Sequence, residues 1–142
     1  MPSFDLHIVF DCADPDRVSR FWMAALGGYD FPSGVPDGFA TWDEWADVNN
    51  IPVDQRNLGR TLVDKDRGTR PDIFFLQVPE SKQVKNRVHL DIKVAPGLDA
   101  EERLKAIASE TERLIALGAT VGTRFDDHVI MLDPEGNEFC LA

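Results

Sequence analysis

A chain of 142 residues with a formal net charge of −10 is sized for one domain and is poorly suited to nucleic acid, whose binding depends on neutralising phosphates. Its hydrophobic share of 43% and charged share of 28% are those of an ordinary globular protein, and no apolar run approaches the roughly 18 residues of a membrane span. The N-terminus lacks a basic-then-apolar leader, and two cysteines, Cys12 and Cys140, are too few for a disulfide framework, so a cytoplasmic protein with reduced thiols is expected.

Residues 4–11 alternate, with Phe4, Leu6, Ile8 and Phe10 on one face and Asp5, His7, Val9 and Asp11 on the other, which predicts a strand. A helix follows: Asp14 is a good N-cap, Pro15 suits the first helical position, and Val18, Phe21, Trp22, Ala25 and Leu26 recur at helical spacing. Gly27-Gly28 ends it, and Tyr29–Phe31 reads as a short strand. Residues 32–59 are irregular, rich in proline and glycine, and read as an insertion in which Thr41–Asn49 forms a short helix carrying Trp42 and Trp45. Arg60–Asp64 and Asp72–Val78 are the next strands, the second with Phe74, Leu76 and Val78 on one face and Ile73, Phe75 and Gln77 on the other.

From Arg87 the pattern repeats. Val88, Leu90, Ile92 and Val94 alternate with Arg87, His89, Asp91 and Lys93. Asp99 caps a helix, with Glu102 three residues on, and Leu104, Ile107, Ala108, Thr111, Leu114 and Ile115 form its stripe up to Gly118. Three short strands fit afterwards, at Ala119–Gly122, His128–Leu132 and Asn137–Leu141. The order is βαβββ twice. Residues 6–27 and 88–118 match as copies, each opening on a strand with a histidine and each closing its helix at Ala-Leu-Gly. The expected fold is α+β: two βαβββ modules forming an open curved sheet around a central pocket, with helices outside. Module one spans about 1–80, with the insertion at about 32–59, and module two about 86–142, in a single domain 1–142.

The alternation also predicts a site. The apolar strand faces cover the helix stripes, so His7, His89, Glu138 and Cys140 share the other face and line one hollow. Two imidazoles with a carboxylate or a thiolate suit a divalent metal. Each histidine taken alone reads equally as a hydrogen-bonded pocket residue.

At these residues the chain resembles the vicinal oxygen chelate superfamily: glyoxalase I, fosfomycin-resistance enzymes, extradiol dioxygenases and bleomycin-resistance proteins. The supporting segments are His7–Asp14, Phe21-Trp22 with Ala25–Gly27, the strand around His89, and Asp133–Asn137. Together with Lys85–Asp91 and Asn137–Cys140 they are similar to the glyoxalase-like branch. The resemblance implies a metal on a histidine from the first strand, one from the fifth, and a glutamate from the last. His7 and His89 match. Counted from Asp133, the glutamate's position holds Cys140. Three readings stay open: a His2Cys site, a site using Glu138 although it lies roughly 6–7 Å along the strand, or no metal, with Cys140 a small pocket-lining residue.

The expected cofactor is therefore none, or one divalent ion among zinc, iron, manganese and nickel. Without a metal, the resemblance implies a bleomycin-resistance-type protein that binds an aromatic or cationic small molecule. Trp22, Trp42, Trp45, Phe75, Gln77, Arg87 and Cys140 are its ligand-binding candidates, and the acidic charge favours a cation. With a metal, it implies a glyoxalase-type lyase or isomerase, or a dioxygenase, acting on vicinal oxygens, with Glu138 as ligand or catalytic base. Arg87 either holds a substrate anion or pairs with Asp91. Asp133 and Asn137 organise their turn. A homodimer is expected, with no nucleic acid and no membrane among the partners.

Overall fold

The computed structural model describes residues 1–142 except Ser33 and Arg67. The chain forms two compact units, Met1–Met23 with Gly27–Pro79, and Ala24–Leu26 with Glu80–Ala142. Each contains one four-stranded sheet that is not closed. Among the described residues no helix is long and apolar enough to cross a membrane.

In the first unit, β1 (Ile8–Cys12), α1 (Pro15–Leu26), β2 (Tyr29–Asp30), α2 (Trp42–Val48), β3 (Gly59–Asp64) and β4 (Ile73–Gln77) follow in order. The sheet order is β1-β4-β3-β2, with β1 parallel to β4 and the other pairs antiparallel. The Asp14 carboxylate accepts the Arg17 N–H at 3.2 Å and Pro15 opens the helix, so donors that a helix start leaves unpaired are met locally. The α1 stripe then enters the core: Val18 and Trp22 are 0% exposed and Phe21 4%. Trp22 packs tilted against Phe10, ring centroids 5.2 Å apart, and Phe10 stacks on Phe75 at 5.3 Å. Helix α2 is the predicted insertion helix. Its start is fixed by a reciprocal cap: Thr41 accepts the Glu44 N–H at 3.1 Å, and Glu44 accepts the Thr41 N–H at 3.3 Å.

The second unit holds β5 (Leu90–Ile92), α3 (Ala100–Ala116), β6 (Thr120–Arg124), β7 (Val129–Leu132) and β8 (Glu138–Leu141), in the order β5-β8-β7-β6. Again the first and last strands pair in parallel. Asp99 accepts the Glu102 N–H at 2.9 Å, and Ile107, Thr111 and Leu114 are the buried residues of α3. Leu104 and Ile115, expected in that stripe, are 44% and 40% exposed. Phe139 and Leu141 are fully buried, which sends Glu138 and Cys140 to the opposite face of β8.

Both opening strands are shorter than the alternation predicts. Phe4 is 87% exposed, Leu6 71% and Val88 79%. Ile8 donates to the Asp72 carbonyl, and the next residue back along that partner strand is Pro71, which has no N–H to extend a ladder. Upstream of Phe139 and Glu138, the Asn137 N–H is already spent on Asp133. A period-2 pattern needs a partner strand to become sheet, and here the partners run out.

Asp64 ends β3 and is 2% exposed. It accepts the Thr69 hydroxyl at 2.5 Å, the Arg70 N–H at 3.0 Å and the Arg70 guanidinium at 2.9 Å. The Thr69 hydrogen bond is the main cause that holds its carboxyl at about 2 against the ordinary 3.8, with burial opposing and Arg70 assisting. A lowered carboxyl stabilises the fold above the unfolded value and loses that contribution as pH falls through the folded one. The stability gap between the protein and Asp64→Asn is therefore expected to be full above pH 3.8 and to close as pH falls toward about 2, as read by urea melts across that range. A gap independent of pH there would refute the assignment.

Candidate functional site

The second unit brings three ligand-type side chains together. Parallel pairing sets Asp91 opposite Cys140, and His89 lies two residues back on the same face as Asp91. The donor atoms of His89, Asp91 and Cys140 all lie within 4.8 Å of one another. His89 Nε2 is 3.5 Å from Asp91 Oδ1, with both side chains near half-exposed. The trio lines a concavity of about 580 Å³ together with Lys93, Arg103, Asp127 and His128. His128 Nδ1 is 2.6 Å from Asp127 Oδ1, and its ring stacks on Phe125 at 4.5 Å. Burial pushes the Cys140 thiol up, and the neighbouring Asp91 carboxylate pushes the same way, while Lys85 and Lys93 oppose them. Without a cation this cysteine is a thiol.

Glu138 does not join the trio. Its carboxylate accepts the Asn86 N–H at 2.9 Å and Lys82 Nζ at 3.0 Å. Burial alone would raise its carboxyl, but these two partners outweigh it and hold it below the ordinary value. A carboxylate engaged in this way anchors the segment before β5 and is a weak proton acceptor, which tells against the role of ligand or base.

Of the other sequence candidates, Trp22 and Phe75 are fully buried and present no surface to a ligand, because the helix stripe and the Ile73–Phe75 face are the core side of their elements. Gln77 is exposed and donates to the Ala13 carbonyl at 3.1 Å. Trp42 is 55% exposed and meets Trp45 edge-on at 5.2 Å, beside a separate concavity within the first unit. Arg87 is exposed, and the ion-pair partners of Asp91 are His89 and Lys93, at 3.5 and 3.7 Å. His7 is exposed and immediately precedes β1. Alternation along the strands does not by itself single out Asp91 or His128 as site residues. The β5–β8 pairing would have revealed Asp91, since a parallel partner of Cys140 on its own face is a neighbour by geometry.

Two βαβββ units with open sheets define the fold of the vicinal oxygen chelate superfamily. The model of the glyoxalase-like domain matches residues 7–142, and the chain belongs to that family. Solved structures similar to it include a possible glyoxalase from Bacillus cereus, 13% identical, covering 99% of this chain and 98% of that one, TM-score 0.59. The fosfomycin resistance protein FosX from Mesorhizobium loti is 17% identical over 99% of this chain and 91% of that one, TM-score 0.57. FosX from Listeria monocytogenes, solved with Mn(II) and sulfate, is 15% identical over 99% and 92%, TM-score 0.57. At these identities the likeness concerns the fold. No protein of curated function matches the chain.

The donor chemistry of the trio fits a divalent metal: an imidazole nitrogen, a carboxylate oxygen and a sulfur, on two adjacent strands and open to a concavity.

Proposed function

We propose that this protein binds a small molecule in the second unit's concavity, anchored on a divalent cation held by His89, Asp91 and Cys140. The observation that supports this reading is the convergence of three different donor atoms within 4.8 Å of one another. Three protein ligands leave a coordination position for a ligand oxygen, and a sulfur donor favours zinc. The cation would supply Lewis acidity toward an oxygen of the bound molecule. Around it, Lys93 and Arg103 offer positive charge to an anionic group, and His128, in contact with Asp127, offers a group able to exchange a proton. A glyoxalase-type lyase or isomerase, or a dioxygenase, is the reaction class this arrangement suits.

A second reading, metal-free binding of the bleomycin-resistance type, is favoured by the raised Cys140 thiol. A protonated thiol beside the Asp91 carboxylate settles that pair without a cation.

Cobalt(II) and zinc(II) titration of the protein purified without chelator separates the two. One equivalent is expected to bind, with cobalt showing thiolate charge-transfer absorption. Structural zinc sites bind with about 10–16 kcal/mol over four ligands, so losing one ligand costs on the order of a hundredfold in affinity. Cys140→Ser and His89→Ala should each show that loss, while Glu138→Gln and His7→Ala keep the affinity. Failure to bind either ion would leave the metal-free reading standing, and wild-type affinity in Cys140→Ser would remove Cys140 from the site.

A further inference from the structure

The first unit contains a second concavity, of about 970 Å³, which is independent of the trio and of the reading placed on it. It lies on the helix-covered face of its sheet. Arg60 of β3 pairs across the ladder with Phe75, and Phe75 stacks on Phe10, which in turn packs on Trp22 of α1. Arg60 therefore shares the face that α1 covers. Asp16 and Arg20 of α1 form one wall, the tryptophans of α2 another, and Phe31 a third. The aromatic surfaces are partly committed to each other: Trp42 meets Trp45 edge-on, and the Arg20 guanidinium sits over Phe31 at 5.2 Å. Trp42 nevertheless keeps 55% of its surface exposed.

The charges decide what such a pocket takes. The insertion is acidic in sequence, and its tryptophans beside carboxylates suggest a cationic guest. The lining itself carries the opposite balance, two carboxylates, Asp16 and Asp43, against three guanidiniums, Arg20, Arg56 and Arg60. Asp43 and Asp47 are both held by Arg56, at 3.3 and 2.5 Å. The Asp16 carboxylate is shared by Arg20 at 3.0 Å and Arg60 at 3.5 Å, so that end carries one guanidinium in excess. Arg60 donates through Nη1 to the Arg56 and Gly59 carbonyls, both at 2.9 Å. Its Nη2 makes no hydrogen bond to any described residue, and its side chain remains 30% exposed. A guanidinium fixed by backbone carbonyls, with one edge left over, is arranged to receive an anion.

We infer that this pocket binds a planar aromatic acid, its ring against Trp42 and its carboxylate on Arg60.

Isothermal titration with 2-naphthoate, against 2-naphthylmethylammonium as the cation of the same shape, tests this. Saturable binding of the naphthoate, at least tenfold tighter than the ammonium compound, is expected. Arg60→Gln and Trp42→Ala should each weaken the naphthoate at least tenfold, Arg60→Lys should keep part of the affinity, and His89→Ala should leave it unchanged. Thermal melts check that Arg60→Gln is folded. Trp42→Ala alters an exposed side chain, so it keeps the test decisive if Arg60→Gln is not folded. No saturable naphthoate binding up to the probe's solubility, equal or tighter binding of the cation, or wild-type affinity in Trp42→Ala would each overturn the inference.

Discussion

Trp22→Ala is expected to lose about 3–5 kcal/mol of stability, the range for truncating a buried aromatic. The indole is 0% exposed, tilted against Phe10 at 5.2 Å and edge-on to Phe21 at 5.6 Å. Its removal takes away the transfer term and leaves a void between α1 and the sheet. Against the roughly 5–15 kcal/mol that holds an ordinary domain together, this is a large fraction. Urea unfolding should show a lower midpoint with an unchanged slope. A loss under about 1 kcal/mol would mean that the first unit's core collapses onto the gap far better than its packing suggests.

Asp133→Ala should be nearly as severe, about 2–4 kcal/mol, for a different reason. Asp133 is 3% exposed and accepts the Glu135 N–H at 2.8 Å, the Asn137 N–H at 2.9 Å and the Asn137 side-chain amide at 2.9 Å. Alanine leaves those donors without an acceptor, and each stranded buried donor costs about 1–3 kcal/mol, part of it recovered by relaxation. Asn137 also accepts the Asn86 side-chain amide at 3.0 Å, so the damage spreads to the segment that enters β5. If the trio holds a cation as proposed, its affinity should fall together with stability. If urea melts of Asp133→Ala match the parent within about 0.5 kcal/mol, the turn's hydrogen bonds do not hold the fold together.

The sequence displays the fold because its signals are local and agree with one another. Asp14-Pro15, Thr41 with Glu44, and Asp99 with Glu102 each start a helix by chemistry within one turn, and α1, α2 and α3 begin there. The duplication is equally visible, since each copy repeats its strand, helix and glycine stop. The site was harder to read because its membership is set by pairing across the sheet. Alternation placed Glu138 and Cys140 on one face correctly. It carried no information that Lys82 and Asn86 would occupy Glu138, or that Asp91 would stand opposite Cys140. The same limit applies to Trp22 and Phe75. An aromatic residue on a buried stripe and one lining a pocket look alike until the opposing surface is known. The charge of the insertion is a poor guide to the concavity beside it for a related reason: two of the three guanidiniums that line it, Arg20 and Arg60, lie outside residues 32–59.

The parallel pairing of β5 with β8 also bears on the order of folding. Parallel strands cannot meet through a short hairpin, and the contacts that seal this pair span long stretches of chain, Asn86 to Glu138 being 52 positions apart. Closing so long a loop costs entropy before any contact repays it, so the β7–β8 hairpin and α3 should form ahead of the β5–β8 seam. His89, Asp91 and Cys140 assemble only across that seam. A cation or ligand that needs all three has little to bind until the second unit is complete, and its binding energy then favours the finished fold over every earlier intermediate.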